Sequence, residues 1–100
     1  MTFLDTPPRQ TEAQFLAQVR AAAKLLGWAT YHTHRSEHSE AGFPDLVLTR
    51  RPRVIFAELK ADRGKLTDAQ RAWIDELRAC GQEAYVWKPK YWAAVEKLLR

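Results

Sequence analysis

One hundred residues with 46% apolar side chains and eleven aromatics, four of them Trp, bound the chain to one small packed domain near the lower limit for a self-sufficient core. The single cysteine, Cys80, excludes an internal disulfide and a cysteine-based zinc site. No apolar run reaches the roughly 18 residues of a membrane span and no signal peptide opens the chain, so a cytoplasmic protein with no membrane partner is expected. Sixteen Lys and Arg against twelve Asp and Glu leave a net charge of +4, a weak preference for a polyanionic partner.

Residues 1–10 carry Pro7-Pro8 without periodicity and read as an extended arm before a domain spanning 11–100. Thr11, with Gln14 three residues on, forms a capping-box pattern. It opens a helix whose apolar stripe runs through Phe15, Leu16, Val19, Ala22, Ala23 and Leu26 and stops at Gly27. Glu12 stands at the N-terminal end of this stripe, on the side that faces the sheet. The helix dipole alone would favour an acid there. Residues 28–34 alternate as a first strand, and 35–43 form a polar loop. His32 and His34 share a strand face with His38 nearby, yet no carboxylate stands at ligand spacing for a zinc site. Arg35, Ser36 and Ser39 are candidates for phosphate contact, against the plainer reading of exposed loop residues. Gly42 permits close approach of backbone or ligand, and Pro44 can begin a strand without losing a ladder bond.

Two β-like runs follow, 46–49 and 54–59, around a turn near Arg51-Pro52, which predicts a hairpin. Antiparallel pairing about that turn sets Asp45 opposite Glu58, or within one residue of it. Alternation places Glu58 and Lys60 on one face and Leu59 on the other. Arg51 and Arg53 at the tip read as a solvated turn or as a phosphate-grasping finger. The segment 61–66 adds Arg63 and Lys65 around Gly64, a basic loop beside the same end. Thr67 and Gln70 repeat the capping-box pattern and open a second helix with the stripe Ala69, Trp73, Ile74, Leu77 and Cys80. Gln70 begins that stripe, and capping alone would explain it. Residues 84–87 form a fourth strand ended by Pro89, and 91–99 a last helix through Trp92, Val95, Leu98 and Leu99. The bases and aromatics of 87–92 suit nucleobase stacking or core packing. The element order αβββαβα predicts an α/β fold, a mixed four-stranded sheet flanked by helices.

Charged groups are rarely placed among apolar neighbours without a partner. An Asp and a Glu on adjoining strand ends call for a cation, and oxygen-only ligands suit Mg²⁺ or Mn²⁺. The motif Pro44-Asp45 followed by Glu58-Leu59-Lys60 resembles the signature of the PD-(D/E)xK nuclease superfamily. The longer pattern, from Gly42-Phe43-Pro44-Asp45 to Leu66-Thr67-Asp68-Ala69-Gln70, is similar to its virus-type replication-repair nuclease (VRR-NUC) branch. The resemblance implies a restriction-endonuclease-like αβββαβ core, here with an added C-terminal helix, and a metal-dependent DNA endonuclease. It implies metal binding by Asp45, Glu58, the Leu59 carbonyl and Glu12, with Lys60 and Gln70 completing the catalytic set. It also implies branched DNA, such as a Holliday junction, as substrate, in a bacterial or phage-infected cell and in a DNA-repair setting. A homodimer is expected from the two-fold symmetry of such a junction, with Trp92, Val95 and Leu99 offering one contact surface. The competing readings are a DNA-binding module or accessory subunit without cleavage, and a structural domain in which Lys60 neutralises the acidic pair.

Overall fold

A computed structural model describes residues 9–34 and 40–100 of the chain. Most of the expected N-terminal arm therefore lies outside the described residues, as do Arg35, Ser36, His38 and Ser39. Thr11 closes a capping box with Gln14 and starts α1, Glu12–Leu25. The strands β1, Ala29–His32, β2, Leu46–Arg50, and β3, Arg53–Leu59, follow as an antiparallel meander. Thr67 and Gln70 close the second capping box at the head of α2, Asp68–Ala79. This helix is the crossover to β4, Glu83–Trp87, which pairs parallel to β3. A 3₁₀ turn at Pro89–Tyr91 leads into α3, Trp92–Leu99. The sheet order is β1-β2-β3-β4, so the expected mixed four-stranded sheet forms, and the last helix begins one residue later than expected.

The two faces of the sheet carry different loads. Leu46 and Leu48 of β2 and Ile55, Ala57 and Leu59 of β3 pack with Phe15, Val19 and Ala23 of α1 and Val95 and Leu99 of α3. Trp28 and Trp87 join the same core. Burying such side chains contributes roughly 1.5–3 kcal/mol for each large residue. On the other face Phe43 meets Phe56 of β3 at 6.0 Å and Trp73 of α2 at 5.1 Å, both edge-on. Ile74 is the buried apolar residue of α2, while Cys80 is exposed beyond its end, so the expected stripe stops short of Cys80.

The structure decides two open questions about surfaces at the C-terminal segment. Val95 and Leu99 are buried and Trp92 packs edge-on against Phe15 at 6.4 Å, so the α3 stripe is consumed by the protein's own core. A domain this small needs that helix to cover the sheet, which leaves little of the stripe as a contact surface between copies. Of the 87–92 aromatics, Trp87 is buried and Tyr91 is half exposed, so core packing takes most of the string.

Candidate active site at the open end of the hairpin

The β2–β3 register runs from Arg50↔Arg53 to Leu46↔Ala57. One residue further, it sets Asp45 opposite Glu58. β2 has ended there, and the Asp45 side chain takes over the ladder, its Oδ2 accepting the Leu59 amide at 2.8 Å. That bond fixes the carboxylate at the end of the strand.

Glu58 is only 2% exposed. Its Oε2 accepts from Gln70 Nε2 at 3.2 Å, whereas its Oε1 is buried without a hydrogen-bond donor among the described residues. Burial, the hydrogen bond to Asp45 and the Asp45 charge push the Glu58 carboxyl up to about 8; the Lys60 ammonium opposes this and the Glu12 charge adds to it. A hydrogen bond between Glu58 and Asp45 forms only when one of the two acids is protonated.

Gln70 makes two contacts at once. Its Oε1 accepts the Thr67 amide at 2.9 Å, closing the capping box, while its Nε2 reaches Glu58. The side chain thereby locks the first turn of α2 to the end of β3. Gly42 makes this approach possible. It has φ +90°, and a Cβ there would fall 2.5 Å from the Ala69 carbonyl carbon and 2.7 Å from the Gln70 nitrogen. The close approach expected of Gly42 is therefore backbone against helix, and it sets where Gln70 stands.

Lys60 follows β3, its amide bonded to the Trp87 carbonyl at 3.0 Å. Its ammonium lies 3.9 Å from Glu12 Oε1, with the lysine side chain 10% and the glutamate side chain 50% exposed. Glu12 lines a cleft of about 230 Å³ together with Ala13, Leu16, His32, Asp45 and Leu59. Among the described residues, no three His, Cys, Asp or Glu side chains converge as a metal-ligating set. The donors on offer are thus the Asp45–Glu58 pair, one of whose buried oxygens has no donor. Such a set fits a hard divalent cation, since magnesium is usually held by one or two carboxylates with water filling the remaining positions.

The remaining basic candidates fall in two places. Arg53 is engaged by Glu83 at 2.9 and 2.6 Å and by the Leu98 carbonyl at 3.3 Å, and lies 5.2 Å over the Trp28 ring. This exchange holds the Glu83 carboxyl below its ordinary range and the Arg53 guanidinium above its own. Arg51 is exposed at the tip. The tip lies five strand residues from Glu58, about 17 Å along the sheet. Arg63 and Lys65, both exposed, follow Lys60 at the acidic end. The His32 and His34 rings lie 5.2 Å apart and tilted by 51°, and His32 reaches the cleft. Sequence reasoning missed Asp62, whose Oδ1 accepts the Lys90 amide at 2.8 Å; no local pattern announces a contact 28 residues away.

Comparison with known proteins bears on the family and the fold. The VRR-NUC domain profile matches residues 3–90. No curated protein matches the chain. Among solved structures, a VRR_NUC domain superposes with a TM-score of 0.74 at 22% identity, over 90% of this chain and 96% of that one. A VRR_NUC domain protein gives 0.69 at 24% identity, over 81% and 79%. Hjc, a Holliday junction resolvase from the archaeal hyperthermophile Archaeoglobus fulgidus, gives 0.59 at 20% identity, over 77% and 69%. The fold is thus restriction-endonuclease-like, and a profile spanning most of the sequence means that the chain belongs to the VRR-NUC family.

Proposed function

We propose that the protein is a Mg²⁺- or Mn²⁺-dependent endonuclease that hydrolyses DNA phosphodiesters, acting on branched DNA such as a four-way junction. Membership of a nuclease family is the frame. The observation that carries the reading is the buried, donorless Glu58 Oε1 beside Asp45 at the strand ends. A pure binding module gains nothing from a carboxylate pair that repels phosphate, and a purely structural pair gains nothing from a buried acid whose ionisation beside Asp45 costs stability.

Asp45 and Glu58 would hold the cation, with the Leu59 carbonyl beside them. When bound, it would lower the pKa of a water molecule and offset charge on the attacked phosphate. The Leu59 amide keeps the Asp45 carboxylate in one orientation, and Gln70 does the same for Glu58. Fixing the ligands in advance removes reorganisation from the chemical step. Lys60 orients the attacking water or meets the developing negative charge, since a compact ammonium suits a point contact. Glu12 enters through Lys60, because its carboxylate pairs with that ammonium. The capped start of α2 brings backbone amides to the same end.

The junction preference rests on the resolvase fold neighbour and on symmetry. One site cuts one strand, whereas a two-fold homodimer supplies two coordinated cuts. Labelled four-way junction and linear duplex, each with Mg²⁺, Mn²⁺ or EDTA, test the reading. Metal-dependent cleavage favouring the junction is expected. Binding without cleavage in every metal would leave only the DNA-binding module, and equal cutting of both DNAs would remove the junction preference.

A further inference from the structure

The two ends of the sheet treat their cations in opposite ways. At the hairpin tip, Arg53 is engaged by Glu83, and the Arg50 guanidinium donates to the Leu26, Leu99 and Arg100 carbonyls at 2.9 to 3.0 Å. Both guanidinium groups stack on Trp28, at 4.5 and 5.2 Å. Their hydrogen-bonding capacity is largely used within the fold.

At the acidic end the register of β3 with β4, Leu59↔Trp87, sets Lys88 abreast of Lys60, one strand spacing or about 4.8 Å away across the backbone. The two following loops are tied together. Lys88 Nζ donates to the Asp62 carbonyl at 3.3 Å, and Asp62 Oδ1 accepts the Lys90 amide at 2.8 Å. Lys90 then lines a groove of about 370 Å³ with Arg9, Gln10, Gln18 and Trp92. The N-terminal half of α1 separates this groove from the cleft at Asp45, since Gln10 and Gln18 line one and Glu12 and Leu16 the other. Among the described residues that line the groove, Asp62 alone brings a negative charge, and one of its oxygens is already committed.

We infer that Lys88, Lys90 and Arg9 form a fixed phosphate track that carries the DNA strand past the catalytic carboxylates, across the carboxyl ends of β3 and β4. The hairpin tip lies off this path. The inference rests on the nuclease reading and specifies which surface the DNA covers. The Asp62 contacts fix the Lys90 backbone and the Lys88 ammonium, which keeps two of its three N–H donors, so little ordering is needed when phosphates bind. The amides of Gln10 and Gln18, bonded to each other at 2.8 Å, add neutral donors and acceptors along the same wall.

The test is binding of a labelled four-way junction, with EDTA present to prevent cutting, between 50 and 200 mM KCl. The double variant Lys88→Gln/Lys90→Gln should bind at least about tenfold more weakly, and its log K against log salt slope should fall by about 2 for each protomer bound, hence about 4 for a two-fold dimer. The matched Lys88→Arg/Lys90→Arg variant should restore both, which a folding defect would not allow. Arg51→Gln should bind as wild type does. An unchanged slope in the Gln variant, or an equal loss in Arg51→Gln, would overturn the track while leaving the nuclease reading intact, provided that wild type binds and cuts. Wild-type protein that neither binds nor cuts DNA would overturn both.

Discussion

Replacing Glu58 by Gln should flatten the pH dependence of metal-free stability. Folding lifts this carboxyl from an ordinary 4.5 to about 8. Between those values the folded state binds more protons than the unfolded state, so stability falls as pH rises. The penalty is absent below the ordinary value, grows through the window, and levels off above about 8. Between pH 5 and pH 8 it amounts to about 3 kcal/mol for this one group. For a domain of this size that corresponds to a drop in Tm of about 15 °C. Gln keeps the volume and cannot ionise. Its amide can donate toward Asp45 and its oxygen can still accept from Gln70, so the orphaned atom disappears. Calorimetry of both proteins in EDTA should give similar Tm values at pH 5 and a variant melting well above wild type at pH 8. Millimolar Mg²⁺ at pH 8 should raise wild type by about 2.7 kcal/mol at a hundredfold excess over Kd and leave the variant unmoved. Parallel pH profiles for the two proteins, or a variant that melts lower at pH 8, would refute the reasoning.

Gly42→Ala should destabilise by roughly 3 kcal/mol, combining left-handed backbone strain with overlap against the first turn of α2; chemical denaturation measures this, and cleavage should fall with it because Gln70 moves. Gln70→Ala should lower stability by about 1–2 kcal/mol through the lost cap and the lost donor to Glu58. Its cleavage per folded molecule should fall as well, and unchanged specific activity would leave Gln70 as a cap alone. Lys60→Met should retain junction binding while single-turnover cleavage drops by about two orders of magnitude or more; a wild-type rate would remove Lys60 from the chemistry.

Local rules made much of this legible in advance. Capping boxes at Thr11 and Thr67 placed two helix starts, and the turn at Arg51-Pro52 set the register that brings Asp45 opposite Glu58. Turn position and period-2 alternation are properties of contiguous residues, so a sequence carries them openly. Contacts between distant elements were not available in that way. That Gln70 caps with its oxygen and serves Glu58 with its nitrogen depends on how α2 lies on β3, which Gly42 decides through a backbone contact. The pairing of Glu12 with Lys60 depends likewise on where α1 crosses the sheet. Arg53 shows the reverse case. A basic residue at a turn reads as solvent-facing, and only the parallel partner strand reveals the Glu83 that engages it. The apolar stripe of α3 was visible, but whether the core or a second copy would cover it was decided by Phe15 and the sheet.

The central claim is that the raised Glu58 carboxyl, with Asp45, is where the divalent cation binds. Titration calorimetry with Mn²⁺ at pH 7, run in two buffers of different ionisation enthalpy, counts the protons released on binding. A group titrating at about 8 is mostly protonated at pH 7, so close to one proton should leave per ion bound. Release should shrink by pH 9 and vanish, along with most of the affinity, in Asp45→Asn and Glu58→Gln. Binding without proton release at pH 7, or with undiminished affinity in those variants, would contradict the assignment of the metal to this pair.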